Sequence, residues 1–241
     1  LAISTPLGDD ELLLRQAQVH EELGRPFTID LELVSDNEEI SLDDLLGQNV
    51  TIRLETADES RYFNGIVTEF FQKENIDRNA CYGAVLKPWF WLLTLSENCR
   101  IFQEKSYPDI IKEVFDDLGF SDYEDQLTGT YTPQNYVVQF NESDFNFVSR
   151  IMEQEGIYYY FSHIDGKHTL VMVDDSSVLP DAGDVPYNDV DDGGYNDDLE
   201  GIKEWGNYRK LRTGGMSLSD FDFITPAKNL NAVTTDPKTS S

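Results

Sequence analysis

Asp189, Asp191, Gly194, Asp197 and Glu200 fall at positions 1, 3, 6, 9 and 12 of a calcium-binding loop, a spacing at which oxygens can wrap a hard cation. The same loop needs an oxygen-bearing residue at position 5, an apolar one at position 8 and a preceding helix. Here those places hold Gly193 and Asn196, and Pro180 and Pro186 stand where the helix would run. A solvated acidic linker is the stronger reading, and a calcium-dependent binding module stays as an alternative. His163 and His168 would face each other across an Asp165-Gly166 turn, and two imidazoles in register could share an ion. A structural metal site usually wants four ligands, so polar hairpin ends are expected instead; His20 lies alone in a polar stretch. Cys81 and Cys99 do not make a disulfide framework in a chain of this size, and reduced, buried thiols are expected. Gly-x-Ser-x-Gly, a phosphate-cradling glycine loop and His-Glu-x-x-His are all missing from the sequence. Among 46 acidic residues close carboxylate pairs arise by chance, so a glycoside-hydrolase pair carries no weight. The sequence therefore assigns no catalytic, cofactor-binding or metal residue, and no enzyme is expected; an acid-dependent hydrolase would need a cleft holding a perturbed carboxylate.

The elements that would position such groups are strands first. Phe27, Ile29, Leu31 and Leu33 alternate with Thr28, Asp30 and Glu32, and Val50, Ile52 and Leu54 alternate with Thr51, Arg53 and Glu55, the period of a sheet with one wet face. Ser41 to Leu46 reads as one capped helical turn closed by Gly47. Tyr62 to Phe71 and Tyr82 to Leu86 read as further strands with a polar loop at Gln72 to Asn79, which predicts an antiparallel sheet or barrel. After Arg100 the period changes. Tyr107, Ile110, Ile111, Val114, Phe115 and Leu118 have helical spacing, with Ser106 as the cap and Gly119 as the stop. A second helix is predicted from Ser143 to Glu155, started by Asn141 or Ser143 and stopped by Gly156. Ile157 to Phe161 and His168 to Val173 then read as a hairpin around Asp165-Gly166. Asp174 to Glu200 holds ten acidic residues and no Lys or Arg, a linker or surface loop. Strand-like patterning returns at Gly201 to Lys210 and Met216 to Ile224.

Composition narrows the function classes. The formal net charge is −28, so phosphate backbones and anionic lipid heads are repelled, and neither nucleic acid nor membrane partners are expected. No apolar run approaches the roughly 20 residues of a membrane helix, and no basic-then-apolar start suggests a signal peptide, although the chain opens at Leu1. Apolar residues make up 39% of the chain, enough for a packed core.

Three stretches carry a resemblance. Leu86-Lys-Pro-Trp-Phe-Trp-Leu-Leu-Thr94 runs into Cys99-Arg-Ile-Phe-Gln-Glu-Lys-Ser-Tyr-Pro-Asp-Ile-Ile-Lys-Glu-Val-Phe115. Leu127-Thr-Gly-Thr-Tyr131 leads through Tyr136 to Arg150, then to Glu155-Gly-Ile-Tyr-Tyr-Tyr-Phe161 and Gly166-Lys-His-Thr-Leu170. Trp205 precedes Leu218-Ser-Asp-Phe-Asp-Phe-Ile-Thr-Pro226. In order and spacing these resemble the VgrG family of type VI secretion spike proteins, whose N-terminal region is similar to phage baseplate hubs.

The resemblance implies a mainly β fold with an α+β insertion: an antiparallel β-barrel of the phage tail-hub type, then the start of a second, related barrel. It places the first barrel at 1–99, the insertion at 100–186, an acidic linker at 187–204 and the opening of a truncated second barrel at 205–241. It implies a homotrimer, in which two barrels per chain match a hexameric Hcp-type tube protein, with baseplate components and effector cargo as further partners. It also implies assembly in the bacterial cytoplasm and export by the injection machine. A hub protein of a phage or phage-derived particle is the nearest alternative. The family's enzymatic effector domains belong to a C-terminal region not represented here, so no catalytic role or cofactor is implied.

Overall fold

A computed structural model describes residues 1–8, 10–56, 60–76, 79–179, 183–185, 187, 202, 205–207, 209, 214–222 and 224–235. The chain divides into two compact units, Leu1–Pro180 and Asp181–Ser241.

The first unit begins with six strands: β1 (Ala2–Ser4), β2 (Leu13–His20), β3 (Thr28–Ser35), β4 (Asn49–Glu55), β5 (Ser60–Ile76) and β6 (Asn79–Lys87). They form one sheet in the order β1-β4-β5-β6-β3-β2, and every pairing is antiparallel. Apolar residues predicted to alternate do so: Ile29, Leu31, Leu33, Val50 and Ile52 are buried against Phe27, Tyr82 and Leu86. Ile3 on one edge strand and Leu14, Ala17 and Val19 on the other pack onto this same cluster, and the two edges come back into contact. The sheet thus curls into a half-barrel, and no ladder joins β1 to β2 among the described residues.

Several local expectations change. The polar run from Gln72 is not a loop. β5 continues through it, Gln72 opposite Tyr82 and Lys73 opposite Cys81, because this stretch lies on the wet side, where Lys73 Nζ reaches Glu32 at 3.0 Å. Gly83 sits beneath the Phe71 ring, and a Cβ there would lie 2.4 Å from it, so any larger residue would have to push the partly exposed ring aside. Thr51 is buried instead of facing water, for a reason given below. The turn after Ser41 is a 3-10 turn, Leu42–Asp44, and Ser41 makes no side-chain cap; Gly47 closes it by donating its N–H to Val67 O at 2.8 Å.

The aromatic stretch forms a 3-10 helix, Trp89–Leu95, with Trp89, Phe90 and Leu93 buried. It enters a second core with the elements that follow: β7 (Glu97–Phe102), α1 (Tyr107–Asp117), β8 (Tyr123–Asp125), β9 (Val137–Ser143), α2 (Asp144–Glu155), β10 (Tyr158–Ile164) and β11 (Lys167–Val173). Both helices stand where periodicity predicts them. Ser106 Oγ accepts the Asp109 N–H to cap α1, and Ser143 Oγ accepts from Asn146 N to cap α2. Gly156 ends α2 in the left-handed conformation at φ 74°, which favours glycine. The β10–β11 hairpin turns at Asp165-Gly166 and pairs His163 with His168; β8 adds parallel to β11. β7 pairs with β9, a ribbon the sequence does not announce.

In the second unit, β12 (Gly215–Asp220) and β13 (Leu230–Thr235) form an antiparallel hairpin, exposed along its length, with Met216, Leu218 and Val233 more than half open. The strand predicted to reach Ile224 ends at Asp220. A bridge pairs Tyr187 with Ile202, and Trp205 is exposed. Asp189, Asp191, Gly194, Asp197 and Glu200 lie outside the described residues.

Candidate functional site

Buried polar groups gather where the half-barrel meets the α+β part. Asn64, in the middle of β5, is fully buried; its Nδ2 donates to Val50 O at 3.2 Å and to Thr51 Oγ1 at 2.9 Å. That leaves its Oδ1 facing His168 Nδ1 at 2.7 Å. The other nitrogen of the ring, Nε2, accepts the Trp89 backbone N–H at 2.8 Å. His163 Nδ1 accepts the Asn64 backbone N–H at 3.1 Å, and its Nε2 stands 3.3 Å from Glu21 Oε1. Thr51 Oγ1 also accepts from Gly166 N at 3.2 Å, which explains its burial. Phe27 packs edge-on against the His168 ring. Beside this network lies a cavity of about 210 Å³, lined by Ile66, Trp89, Phe120, Asp122 and Lys167 among others.

The two histidines are therefore not polar ends of a hairpin reaching into water. Their strands turn the rings inward onto the sheet, and His168 is only 4% exposed. All four ring nitrogens have protein partners, so neither ring offers a free lone pair to an ion. Among the described residues no group of three or more His, Cys, Asp or Glu is arranged to hold a metal. Cys81 is buried as expected, whereas Cys99 is exposed on β7, because its side chain points away from the core that Phe102 enters.

Two carboxylates missed in the sequence each gather donors from other elements. Asp144 is fully buried at the start of α2. It accepts from Ser96 Oγ at 2.5 Å, Asn98 Nδ2 at 2.9 Å and Gln139 Nε2 at 2.8 Å, and pairs with the Arg100 guanidinium. Burial pushes its pKa up, but the hydrogen bonds from Ser96 and Gln139, the Arg100 charge and Asn98 outweigh that and hold it below the ordinary value. Asp174, at the end of β11, accepts from Thr128 N and Oγ1 at 2.9 Å, Gly129 N at 2.7 Å and Tyr131 OH at 2.8 Å. Desolvation opposes these donors and loses, and the carboxyl falls to about 2. Both are held as anions, the opposite of a general acid kept protonated near neutrality. Among the described residues every fully buried side-chain nitrogen or oxygen has a hydrogen-bond partner. No helix among them is long and apolar enough to cross a membrane.

The sequence set His163 opposite His168 but offered no reading of the third member, Asn64, a residue disfavoured in strands set between Phe63 and Gly65. Its partners lie about a hundred residues on.

The class these features define is a cross-braced antiparallel β-scaffold of the tail-hub type, a curled sheet tied to an α+β part by buried polar joints. A family model described as phage tail baseplate hub (GPD) matches residues 20–241, and the chain belongs to that family. The spike protein VgrG1b of the type VI secretion system of Pseudomonas aeruginosa is 44% identical over 237 residues, covering 95% of this chain and 31% of that protein. This chain therefore spans about a third of the length of VgrG1b and of the related spike proteins VgrG1c and VgrG1a, and less of other curated relatives. An Escherichia coli component of the type VI secretion system, similar in structure to the T4 tail proteins gp27 and gp5, superposes with a TM-score of 0.63 at 25% identity. That match covers 74% of this chain and 51% of the other. A tail protein from Neisseria meningitidis shares the fold at a TM-score of 0.60 and 13% identity, covering all of this chain and 68% of its own.

Proposed function

We propose that this chain is the tail-hub part of a type VI secretion spike protein, coupling an inner tube to a puncturing spike and carrying effectors outward. The observation that carries this reading is the 44% identity to a spike protein across 95% of the chain. The fold alone is shared with phage tail proteins, so the sequence identity is what favours the secretion machine over a phage-derived particle. Residues 1–99 act as a first barrel, 100–186 as its insertion, 187–204 as a linker and 205–241 as the opening of a second barrel. The role is mechanical, without catalysis of its own. The clasped carboxylates and fully engaged imidazoles support that, since they lock elements together and leave no poised nucleophile or base at the joint.

Three copies form a ring that seats on a hexameric Hcp-type tube protein, after assembly in the bacterial cytoplasm and before export. The exposed apolar side chains of β12 and β13 support self-association, because a lone two-stranded hairpin is marginal in water and open strand edges invite pairing. The test is the mass of the gene product carrying this chain, measured by light scattering, followed by co-sedimentation with the tube protein. A trimer that pellets with tubes is expected. A strict monomer that leaves the tubes bare would overturn the proposal.

A further inference from the structure

We propose that His168, with His163 beside it, forms an acid-sensitive latch, which holds the α+β part against the half-barrel only while the His168 imidazole is neutral. The geometry fixes their protonation. A backbone N–H can only donate, so the ring nitrogen that receives it must be bare. His168 Nε2 receives the Trp89 N–H, and the ring proton therefore sits on Nδ1 and goes to Asn64 Oδ1. Asn64 cannot reverse to accommodate a change, because its amide nitrogen is already committed to Val50 O and Thr51 Oγ1. His163 Nδ1 receives the Asn64 N–H, leaving its proton on Nε2, toward Glu21. A second proton on His168 would meet the Trp89 N–H head-on. The bond becomes a repulsion, and either the ring or the Trp89 backbone must leave.

The surroundings offer a buried cation little relief. β4 and β5 present Thr51 and Asn64, both neutral, and Phe27 and Phe161 supply ring edges. The turn after α1 brings Asp122, but that carboxylate is paired with Lys167 of β11 at 2.8 Å. β10 brings His163, whose own charging would repel. The connection after β2 brings Glu21, which faces His163. The balance has one direction: burial first, then His163, draws the His168 pKa down to about 4, against a weaker pull from Asp122.

Linkage then sets the window. With the latch open, His168 titrates near its ordinary value of about 6.5; closed, it resists until about 4. The open state binds more protons between these values, so closure is favoured above about 6.5 and lost as pH falls toward 4. From pH 7.5 to 5 the open-to-closed ratio rises about thirty-fold. General charge acts with the opposite sign. A chain at −28 with a pI near 4.1 loses self-repulsion on acidification and should tighten.

The experiment compares the full chain with His168→Gln, whose amide can accept from Trp89 and donate to Asn64 but cannot take a proton. Urea unfolding and amide exchange, corrected for intrinsic rates, are followed from pH 7.5 to 5. Expected is a loss of protection at the Trp89, Asn64 and Gly166 amides of the native chain, about thirty-fold, with a flat or rising profile in the variant. Equal profiles in the two proteins would overturn the latch. Nitrogen NMR of the native imidazoles keeps the idea testable if the variant folds poorly: His168 must remain the neutral Nδ1–H tautomer at pH 5.5. A His168 that titrates near 6.5 while those amides stay protected also overturns it.

Discussion

Replacing Asp144 with alanine would strip Ser96, Asn98, Arg100 and Gln139 of a shared acceptor; Gln139 is fully buried, while the other three are partly open to water. Arg100 keeps Asp117 as a partner at 3.5 Å, so the main cost falls on the buried Gln139 amide and the α2 start, about 1–3 kcal/mol for donors left without an acceptor. Asp144→Ala should lower the urea midpoint by a corresponding amount, with α2 and β7 losing exchange protection first. A midpoint unchanged from the parent would mean that the clasp contributes nothing. The acid dependence has a definite sign: because the folded carboxyl is depressed, its contribution is full above about pH 4 and fades only as pH falls below that. That range lies beneath the one in which His168 acts. Of these groups only the His163–His168 pairing was legible in the sequence. The sequence gives Asp144 and Asn64 no role because the partners that do are remote: Asn98 lies 46 positions from Asp144 and His168 104 positions from Asn64.

At the scale of elements, what could be read was what neighbours in sequence decide. Both helices and the β10–β11 hairpin were legible because their caps, stops and turn residues are local: Ser106, Ser143, Gly156 and Asp165-Gly166. The far end of β5 was not, since its polar residues are stabilised by the next strands, as in the Lys73–Glu32 pair. The β7–β9 ribbon was hidden for a similar reason. A register shift between Asn98 and Cys99 breaks its alternation, and its Ile101 and Phe140 point outward. The packing of α1 gives a direct check. Ile111 is completely buried beside Phe115 and Phe147 in one cluster, and Ile111→Asp would place an unpaired charge there at a cost of several kcal/mol. Loss of the helical signal of this part, or failure to fold, is expected; a circular-dichroism melting temperature equal to the parent's would contradict the packing described.

Across the whole molecule, 46 acidic against 18 basic side chains set a background of self-repulsion that salt screens within about 10 Å at 0.1 M. Raising sodium chloride from 20 to roughly 300 mM should therefore raise the melting temperature at pH 7.5; a drop would show that attractive ion pairs such as Lys167–Asp122 outweigh the excess charge. The joint between sheet and insertion has one more consequence, in time. The half-barrel's strands are joined by short connections and are complete by Lys87. The atoms that bind it to the rest sit on a hairpin 99 to 115 residues further along the chain. Contacts of such long range close late, and synthesis delivers them late as well. For several seconds on the ribosome, at roughly 5–20 residues per second, the nascent sheet waits with Asn64 Oδ1 and its backbone N–H still without their hairpin partners. A chaperone or a sister chain that meets it in that interval finds a polar socket in an apolar wall, filled only when the β10–β11 hairpin emerges.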